Sequence, residues 1–391
     1  MTASTGASRP WDIVLFGASG FVGKLIAKTL AEVAPPGLRW AIAGRSPAKL
    51  RELQAALELR SGEPAIGVIE ADVDRPASLV AMAAQTKVLL TTVGPYVRWG
   101  EPVARACVEA GTHYLDLTGE PVYVAGLVTR LHDEARRRGV ALVPCCGFDS
   151  IPTDLGVFYT VGLLPEGVPI EVRGYMQGNG SASGGTLASA LGIVGDRTPD
   201  VGRTIAPRRS GDGRSIGRVR QGLFHRNQAL GCWGLPLPTI DPSIALRSAG
   251  MLERYGPDFR YGHYIAQRWL PMAVATAVGG GLLVGAAQLR PVARLLTRLR
   301  PPGTGPSEER RAESWFCLRF VGEGGGRRVI TEIRGGDPGY DETSKMVAES
   351  AILLAQGGER EGGVLTPAAA LGQALIDRLG EVGLGLRQLD G

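Results

Sequence analysis

Three glycines at every third position, Gly17, Gly20 and Gly23, form the stretch of this chain that is best suited to chemistry. An apolar run (residues 13–16) precedes them, and a helix-forming run (residues 24–30) follows. In a strand–turn–helix unit of this kind, glycines allow a tight turn and let the backbone approach a phosphate, whose charge suits a helix N-terminus. The pattern predicts a dinucleotide-binding turn, although its Gly-x-x-Gly-x-x-Gly spacing departs from the usual Gly-x-Gly-x-x-Gly. A tight structural turn without a ligand is the alternative.

The end of the second expected strand carries Gly44, Arg45 and Ser46, about twenty residues beyond the last glycine of the turn. Domains that bind NAD place a carboxylate here, on the ribose 2′-hydroxyl. This chain has a guanidinium and a hydroxyl instead, which suit a 2′-phosphate that a carboxylate would repel. We therefore predict NADPH as the cofactor in preference to NADH. An ordinary exposed arginine at a helix start is the alternative.

Short apolar segments alternate with helical ones from residue 11 to residue 150. Such alternation predicts an α/β fold, with a doubly wound parallel sheet of the Rossmann type and helices on both faces. Ligands of these sheets lie at the carboxyl ends of the strands. We expect Asp72 near the adenine and residues 92–95 along the ribose and nicotinamide. The full set of predicted cofactor-binding residues is Gly17, Ser19, Gly20, Phe21, Val22, Gly23, Gly44, Arg45, Ser46, Asp72, Val73, Thr92, Val93, Gly94, Pro95 and Cys146.

The pattern changes after residue 150 to glycine-rich, strand-like pieces. We therefore predict a dinucleotide-binding domain over residues 1–150 and a second domain over residues 151–339. Residues 196–235 are rich in Arg, Gly and Pro without clear periodicity, so we expect a long loop or lid there. Helices are predicted over residues 343–356 and 366–379, the second with a threonine N-cap followed by proline.

Composition excludes several classes of function. Hydrophobic residues make up 44% of the 391 residues, and the net charge of +5 comes without a dense basic tract, so we expect no nucleic-acid partner. The five cysteines show neither metal-site nor disulfide-framework spacing, and the four histidines form no ligand-like pair, so we expect no metal. The first ten residues lack an apolar signal segment, which favours a cytoplasmic location.

Residues 269–287 stand apart, because these 19 consecutive residues carry no charge. Four arginines follow, at positions 290, 294, 298 and 300. A membrane-spanning helix needs about 20 apolar residues, but this segment consists mostly of Ala, Gly and Val. We expect a buried helix first, an interfacial or lipid-facing helix second and a membrane span third. Peripheral membrane contact through residues 269–300 would give access to a hydrophobic substrate.

Five motifs, in order along the chain, carry a resemblance to a known family. They are residues 17–23 (GASGFVG), 91–96 (TTVGPY), 114–120 (YLDLTGE), 146–152 (CGFDSIP) and 363–370 (GVLTPAAA). With these motifs the chain resembles the saccharopine dehydrogenase-like oxidoreductases from about residue 11 to residue 380. Within that family it is most similar to the trans-acting enoyl reductases of actinobacteria.

The resemblance implies a fold and a reaction. It implies an N-terminal Rossmann domain, a second α+β domain built on a mixed sheet, and C-terminal helices (residues 340–391) that pack back on the first domain. It also implies an NADPH-dependent reductase that reduces a C=C bond in a polyketide- or lipid-derived intermediate. It transfers no defined catalytic residue.

Enoyl reduction needs a hydride, a proton for the α-carbon and a group that polarises the carbonyl. Tyr96 is our first choice of proton donor, because it follows Gly94-Pro95 at the end of a strand, and Asp149 is the second. Each has a structural alternative: Tyr96 as a packing aromatic, and Asp149 as the cap of the following helix. Ser150 is a further candidate at these strand ends, and Cys146 and Glu120 are weaker ones.

Other functions remain open. Short-chain dehydrogenase chemistry is set aside, because no lysine follows a tyrosine by four positions. The alternatives are a saccharopine-type dehydrogenase that acts on an imine or amino acid, and a non-catalytic, membrane-associated nucleotide-binding protein. The expected partners are a hydrophobic or lipid substrate, free or carried by another protein, and a second copy of the chain in a homodimer.

Overall fold

The computed structural model describes residues 9–61, 66–179, 201–219, 224–287, 305–358 and 361–390. The elements up to residue 150 are β1 (Trp11–Phe16), α1 (Phe21–Val33), β2 (Trp40–Gly44), α2 (Pro47–Ser61), β3 (Gly67–Glu70), α3 (Pro76–Ala83), β4 (Thr86–Thr91), α4 (Tyr96–Ala110), β5 (His113–Asp116), α5 (Pro121–Arg137) and β6 (Ala141–Val143). The later elements are α6 (Ile151–Gly162), β7 (Ile170–Gly178), α7 (Val201–Ile205), β8 (Ser215–Arg218), β9 (His225–Asn227), β10 (Cys232–Pro236), α8 (Asp241–Met251), β11 (Asp258–Gln267), α9 (Leu270–Ala287), α10 (Glu308–Ala312), β12 (Phe316–Gly324), β13 (Arg327–Gly335), α11 (Asp341–Gln356), β14 (Gly363–Val364), α12 (Pro367–Glu381) and β15 (Leu386–Leu389).

The first sheet is parallel throughout, with strand order β3-β2-β1-β4-β5-β6-β14. Apart from the added β14, this is the order of a dinucleotide-binding sheet, in which the strand order reverses between β1 and β4. Ile13 and Leu15 of β1 pack with α1 on one face, and Val14 and Phe16 pack with α4 on the other. The predicted doubly wound parallel sheet is therefore confirmed.

The second sheet is mixed, with strand order β15-β13-β12-β7-β11-β10-β9 and β8 beside β11. Its central strand β7 runs parallel to β11 and antiparallel to β12. Helices α6 and α8 cover one face, and the fit is close: a Cβ on Gly156 of α6 would lie 2.1 Å from the Phe320 ring of β12. The expected mixed sheet is confirmed, and its buried face continues into the cluster that contains Ile13.

The C-terminal segment returns to the first sheet. Helix α11 packs against α1 and against β1, β4 and β5, and α12 packs against α6 and α11. Between them, β14 adds a seventh strand by pairing with β6. Nothing in these contacts marks residue 150 as a domain boundary, so the division into residues 1–150 and 151–339 stays a prediction.

One predicted segment differs from the observed structure, and the start of one helix has a clear local cause. Helix α4 begins at Tyr96, where the Glu120 carboxylate accepts hydrogen bonds from its first two N–H groups. The expected long loop over residues 196–235 is wrong for its described part, which contains α7, β8, β9 and most of β10. Residues 196–200 and 220–223 lie outside the described residues.

The apolar segment forms helix α9, and the expectation that it is buried is wrong. Those of its large side chains that the structure describes are 42–70% exposed, with Leu282 the most exposed. No helix in the described part of the chain is long and apolar enough to cross a membrane. The arginine-rich residues 288–300 lie outside the described residues.

Asp154 joins three helices in the core. Its carboxylate accepts hydrogen bonds from the Ser248 hydroxyl of α8 and from the Ala368 N–H of α12, the latter at 2.8 Å. Burial raises the pKa of Asp154 to about 7. Since the unfolded chain loses this proton near pH ~4, the contribution of Asp154 to stability is complete below that pH and is lost as the pH rises through about 7.

We expect Asp154→Asn to flatten the decline of stability with pH, because the amide does not titrate. The slope of the free energy of unfolding between about pH 4 and pH 7 should become less negative by at most about 1.4 kcal/mol per pH unit. Urea unfolding at several pH values measures this slope. The control is Asp212→Asn: its arginine and serine partners lower the pKa of exposed Asp212 to about 2, so it should not change the slope in this range. An unaltered slope in Asp154→Asn would contradict the assignment.

Candidate active site

The glycine turn between β1 and α1 is compact for a steric reason. Gly17 has a φ of +89°, and the Gly20 N–H donates to the Gly17 carbonyl at 3.0 Å. A Cβ on Gly23 would lie 2.3 Å from that same carbonyl oxygen, and a Cβ on Gly17 would lie 2.6 Å from the Thr92 Oγ1. Only glycine at these positions lets the helix and the end of β4 approach the turn so closely.

The N-terminus of α1 is open to an anion. This helix of 13 residues begins after Gly20, has no side-chain cap and carries no acidic residue in its first turn. The Thr92 hydroxyl, beside the turn, donates to the Phe16 and Gly17 carbonyls at 3.3 and 3.2 Å. The end of β4 is thereby held against the turn, and the free N–H groups of α1 form a site suited to a pyrophosphate.

The end of β2 lies directly beside this turn. A Cβ on Gly44 would be 3.8 Å from the Ser19 hydroxyl oxygen. Arg45 is exposed, and no acceptor among the described residues pairs with its guanidinium. Asp72, after β3, uses one carboxylate oxygen to accept the Asp74 N–H at 3.1 Å. The edge therefore presents an unpaired cation and no carboxylate at the expected ribose position, and both features suit a 2′-phosphate.

The loop after β4 turns away from the sheet at Gly94 and Pro95, which are exposed and joined by a cis peptide bond. Glu120, from the loop after β5, accepts the N–H groups of Tyr96 and Val97 at 3.0 and 2.8 Å. Both oxygens of this carboxylate are engaged at the start of α4. Glu120 therefore holds the loop in position. This structural role replaces the weak expectation that Glu120 transfers a proton.

Tyr96 is buried, and its hydroxyl donates to the Thr91 carbonyl at 3.0 Å. Its ring stacks on Tyr123, with centroids 5.7 Å apart. Burial raises the pKa of the Tyr96 hydroxyl well above its usual value. The hydroxyl is thus directed into the sheet and does not reach the open edge. Tyr96 is therefore a packing aromatic, which was its structural alternative.

Asp149 has the opposite environment. Its side chain is half-buried, and no donor among the described residues bonds to its carboxylate. It does not cap α6, whose N-cap is Ser150 and has no side-chain hydrogen bond. Burial, and then the Asp241 carboxylate, raise the pKa of Asp149 to about 7. Gly119 leaves room for it, because a Cβ there would lie 3.2 Å from the Asp149 Cγ. Asp149 can therefore hold and release a proton near neutral pH.

Comparison with known proteins agrees with this geometry. Residues 13–143 match the family model of the saccharopine dehydrogenase NADP-binding domain. A Mycobacterium tuberculosis relative, provisionally named a trans-acting enoyl reductase, is 36% identical over 98% of each chain. A Bos taurus saccharopine dehydrogenase-like oxidoreductase is 30% identical over 96% of each chain. This chain belongs to the saccharopine dehydrogenase-like oxidoreductases.

The fold of this oxidoreductase is also found in a solved structure. Apo saccharopine dehydrogenase (L-Glu forming) of Saccharomyces cerevisiae superposes with a TM-score of 0.55 at 14% identity, covering 97% of this chain and 99% of that one. At such low identity the match shows a shared fold alone. Family membership and the NADP-binding domain make the protein an NADP(H)-dependent oxidoreductase.

The residues of the oxidoreductase fit that cofactor. Gly17 and Gly23 allow the turn, α1 and the end of β4 to pack closely, the N-terminus of α1 lacks a competing cap, and Arg45 has no acceptor among the described residues. Three further predicted contacts, Val22, Val73 and Val93, are half-buried and pack against the two core clusters. Phe21 packs edge-on against Tyr340 of the C-terminal segment, with ring centroids 5.1 Å apart.

Cys146 and Ser150 lie in the core of the oxidoreductase. The Cys146 thiol is fully buried and donates to the Val143 carbonyl at 3.3 Å, and burial raises the pKa of the thiol well above its usual value. The Ser150 hydroxyl donates to the Asp149 carbonyl at 2.7 Å. We assign both side chains to packing. In the described part of the chain, no group of His, Cys, Asp and Glu side chains is arranged to hold a metal.

Asp116 was missed by the sequence analysis. It is fully buried at the end of β5 and accepts hydrogen bonds from the Tyr114 hydroxyl at 2.7 Å and from the Thr118 and Cys145 N–H groups at 2.9 and 3.0 Å. Burial raises the pKa of Asp116 to about 6. Its bond to Cys145, which has a φ of +64°, orients the loop that carries Asp149. An acidic residue inside an apolar strand was the available signal.

Proposed function

We propose that this oxidoreductase uses NADPH to reduce a C=C bond conjugated to a carbonyl, in a hydrophobic, polyketide- or lipid-derived substrate. Relatives named trans-acting enoyl reductase support the reaction class, since they match nearly the whole chain; one from Mycobacterium ulcerans is 34% identical over 97% of this chain and 98% of its own. When bound, the cofactor supplies the hydride for the β-carbon. The chain must then supply the proton for the α-carbon.

The observation that carries the proposal is the environment of Asp149. It lies where strands β5 and β6 end, beside Gly119, with no partner among the described residues and a pKa of about 7. A carboxyl that is still protonated near neutral pH can donate to a developing enolate. We therefore assign the proton transfer to Asp149 and a structural role to Tyr96.

The neighbouring loops favour an apolar substrate. The segments after β4, β5 and β6 (residues 92–97, 117–122 and 144–150) contain no Lys, Arg or His. Val97 and Val122, which end the first two segments in the first turns of α4 and α5, are exposed. A dicarboxylic amino acid would need cationic partners, which these loops do not provide. The composition of the edge therefore supports the enoyl substrate over saccharopine-type amine chemistry.

NADPH oxidation, followed by absorbance, tests the proposal with two kinds of substrate. We expect turnover with a long-chain 2-enoyl thioester, whose product gains the mass of two hydrogen atoms. A mixture of 2-oxoglutarate and a primary amine should give no turnover. Turnover with the second mixture alone would instead establish the amine-forming alternative, and turnover with neither would favour the non-catalytic one.

Three further expectations stay predictions. They are that the substrate is presented on a carrier, that the chain forms a homodimer and that it is cytoplasmic.

A further inference from the structure

Exposed apolar side chains are concentrated in one short segment. Ten large hydrophobic side chains are exposed in the described part of the chain, and six of them lie between residues 269 and 282. They are Trp269, Leu270, Met272, Val274, Val278 and Leu282. Isolated exposed hydrophobic residues are common on protein surfaces, but a contiguous group of this kind marks an interaction site.

Leu270, Val274, Val278 and Leu282 recur every four residues along one side of α9, and Met272 lies on the opposite side, so the exposed group is not confined to one stripe. With 3.6 residues per turn, the exposed positions among the described side chains of α9 are distributed around most of its circumference, and Ala273 is the buried one among them. The one hydroxyl in this part of the helix, on Thr276, accepts a hydrogen bond from the Gln267 side chain at 3.1 Å. The helix therefore has no polar face to turn toward water.

The distribution of exposed apolar residues around α9 indicates what kind of partner covers the helix. A second copy of the chain, or a groove on another protein, would cover one side of α9 and leave the other in water. A helix that is apolar on all sides fits immersion in an apolar medium. Since α9 also keeps its contacts with β10 and β11, the immersion is partial.

The charges next to α9 favour anionic lipid. Arg268 precedes the helix, and its guanidinium lies 5.9 Å from the ring centroid of Trp269. Arginine beside tryptophan is the combination that anchors helices at the level of lipid headgroups. The sequence from residue 269 to residue 287 has no acidic residue, and four arginines follow in the next 13 residues.

We propose that α9 inserts shallowly into the acyl layer of a membrane that contains anionic lipid, with Arg268 and Trp269 at the headgroups. This contact goes beyond the proposed reaction and does not depend on it, because it concerns the surface of α9 alone. It would place the oxidoreductase against the phase in which a hydrophobic substrate dissolves.

Vesicle flotation of the full chain tests the proposal. We expect the protein to float with phosphatidylcholine vesicles that contain phosphatidylglycerol, and much less with phosphatidylcholine alone. Val278→Glu should lower the vesicle partition coefficient roughly tenfold or more, because it puts a charge into the acyl layer. The matched control is Val80→Glu, the same change at an exposed valine of α3, and it should leave binding unaltered.

Two further measurements separate the outcomes. NADPH binding by Val278→Glu should equal that of the unmodified chain, which shows that the variant is folded. A fluorophore on Leu282→Cys should shift to shorter wavelength with anionic vesicles; the five native cysteines are all buried. Equal flotation of Val278→Glu and the unmodified chain would overturn the proposal. A second result would also overturn it: the unmodified chain does not bind vesicles but forms a dimer, and Val278→Glu converts this dimer to a monomer. A second copy of the chain would then cover α9.

Discussion

Asp149→Asn is expected to lower kcat of enoyl reduction by about 10²- to 10⁴-fold, the range of a lost general acid. The amide keeps the size of the carboxyl but has no acidic proton to give. In the unmodified enzyme the pKa of Asp149 is about 7, so the protonated, active form is lost as the pH rises through that value. Activity should therefore fall above neutral pH in the unmodified enzyme, and this fall should be absent from the residual activity of Asp149→Asn.

Two variants serve as controls for this result. Asp154→Asn removes a second carboxyl whose pKa is about 7, but one that is engaged by Ser248 and Ala368, so it should keep the pH profile of kcat. Tyr96→Phe removes a hydroxyl that is bonded to the Thr91 carbonyl, and kcat should stay within a few-fold. NADPH binding should be unaffected in Asp149→Asn. If Tyr96→Phe, and not Asp149→Asn, abolishes turnover, the original choice of Tyr96 as donor is restored.

Arg45→Ala should weaken NADPH binding by about 10- to 100-fold and change NADH binding by no more than about twofold. The two cofactors differ only in the 2′-phosphate, and Arg45 is an exposed cation that no described residue pairs with, placed next to the glycine turn. Loss of the charge-assisted hydrogen bonds to that phosphate should therefore affect one cofactor alone. Fluorescence titration of the purified protein with each cofactor measures the two dissociation constants.

The control for Arg45→Ala lies at the other end of the same strand. Arg39 precedes β2 and bonds to Asp12, whose side chain is on the amino edge of the sheet. Arg39→Ala removes the same charge from the chain and should leave both dissociation constants unchanged. An equal loss of NADPH and NADH affinity in Arg45→Ala would show that Arg45 stabilises the turn and does not bind the 2′-phosphate.

The cofactor half of the site could be predicted from the sequence, because local features encode it. The spacing of Gly17, Gly20 and Gly23 reflects steric contacts within one turn, and the apolar alternation up to residue 150 reflects strands buried on both faces. The absence of a carboxylate after β2 is likewise visible in a few consecutive residues. Family resemblance added the mixed sheet and the class of reaction.

The catalytic half depended on contacts between residues that are distant in the chain. Tyr96 and Asp149 were comparable candidates, since both follow strand ends. The tertiary structure directs the Tyr96 hydroxyl into the sheet; it also raises the pKa of Asp149 by burying it and, secondarily, by placing the Asp241 carboxylate near it. Only folding brings α8 to this edge, so no local pattern could show it.

Sequence by itself determined that residues 269–287 are apolar and that they form a helix-length segment. It could not determine their exposure, because an uncharged run is compatible with a position in the core and also with an exposed interaction surface. The tertiary structure decided this by filling the core with other elements: α6, α8 and α11 pack against the sheets, whereas α9 contacts β10 and β11 and has Ala273 as the buried one among its described side chains. Composition is a local property, whereas burial depends on the competition of all elements for the same interior.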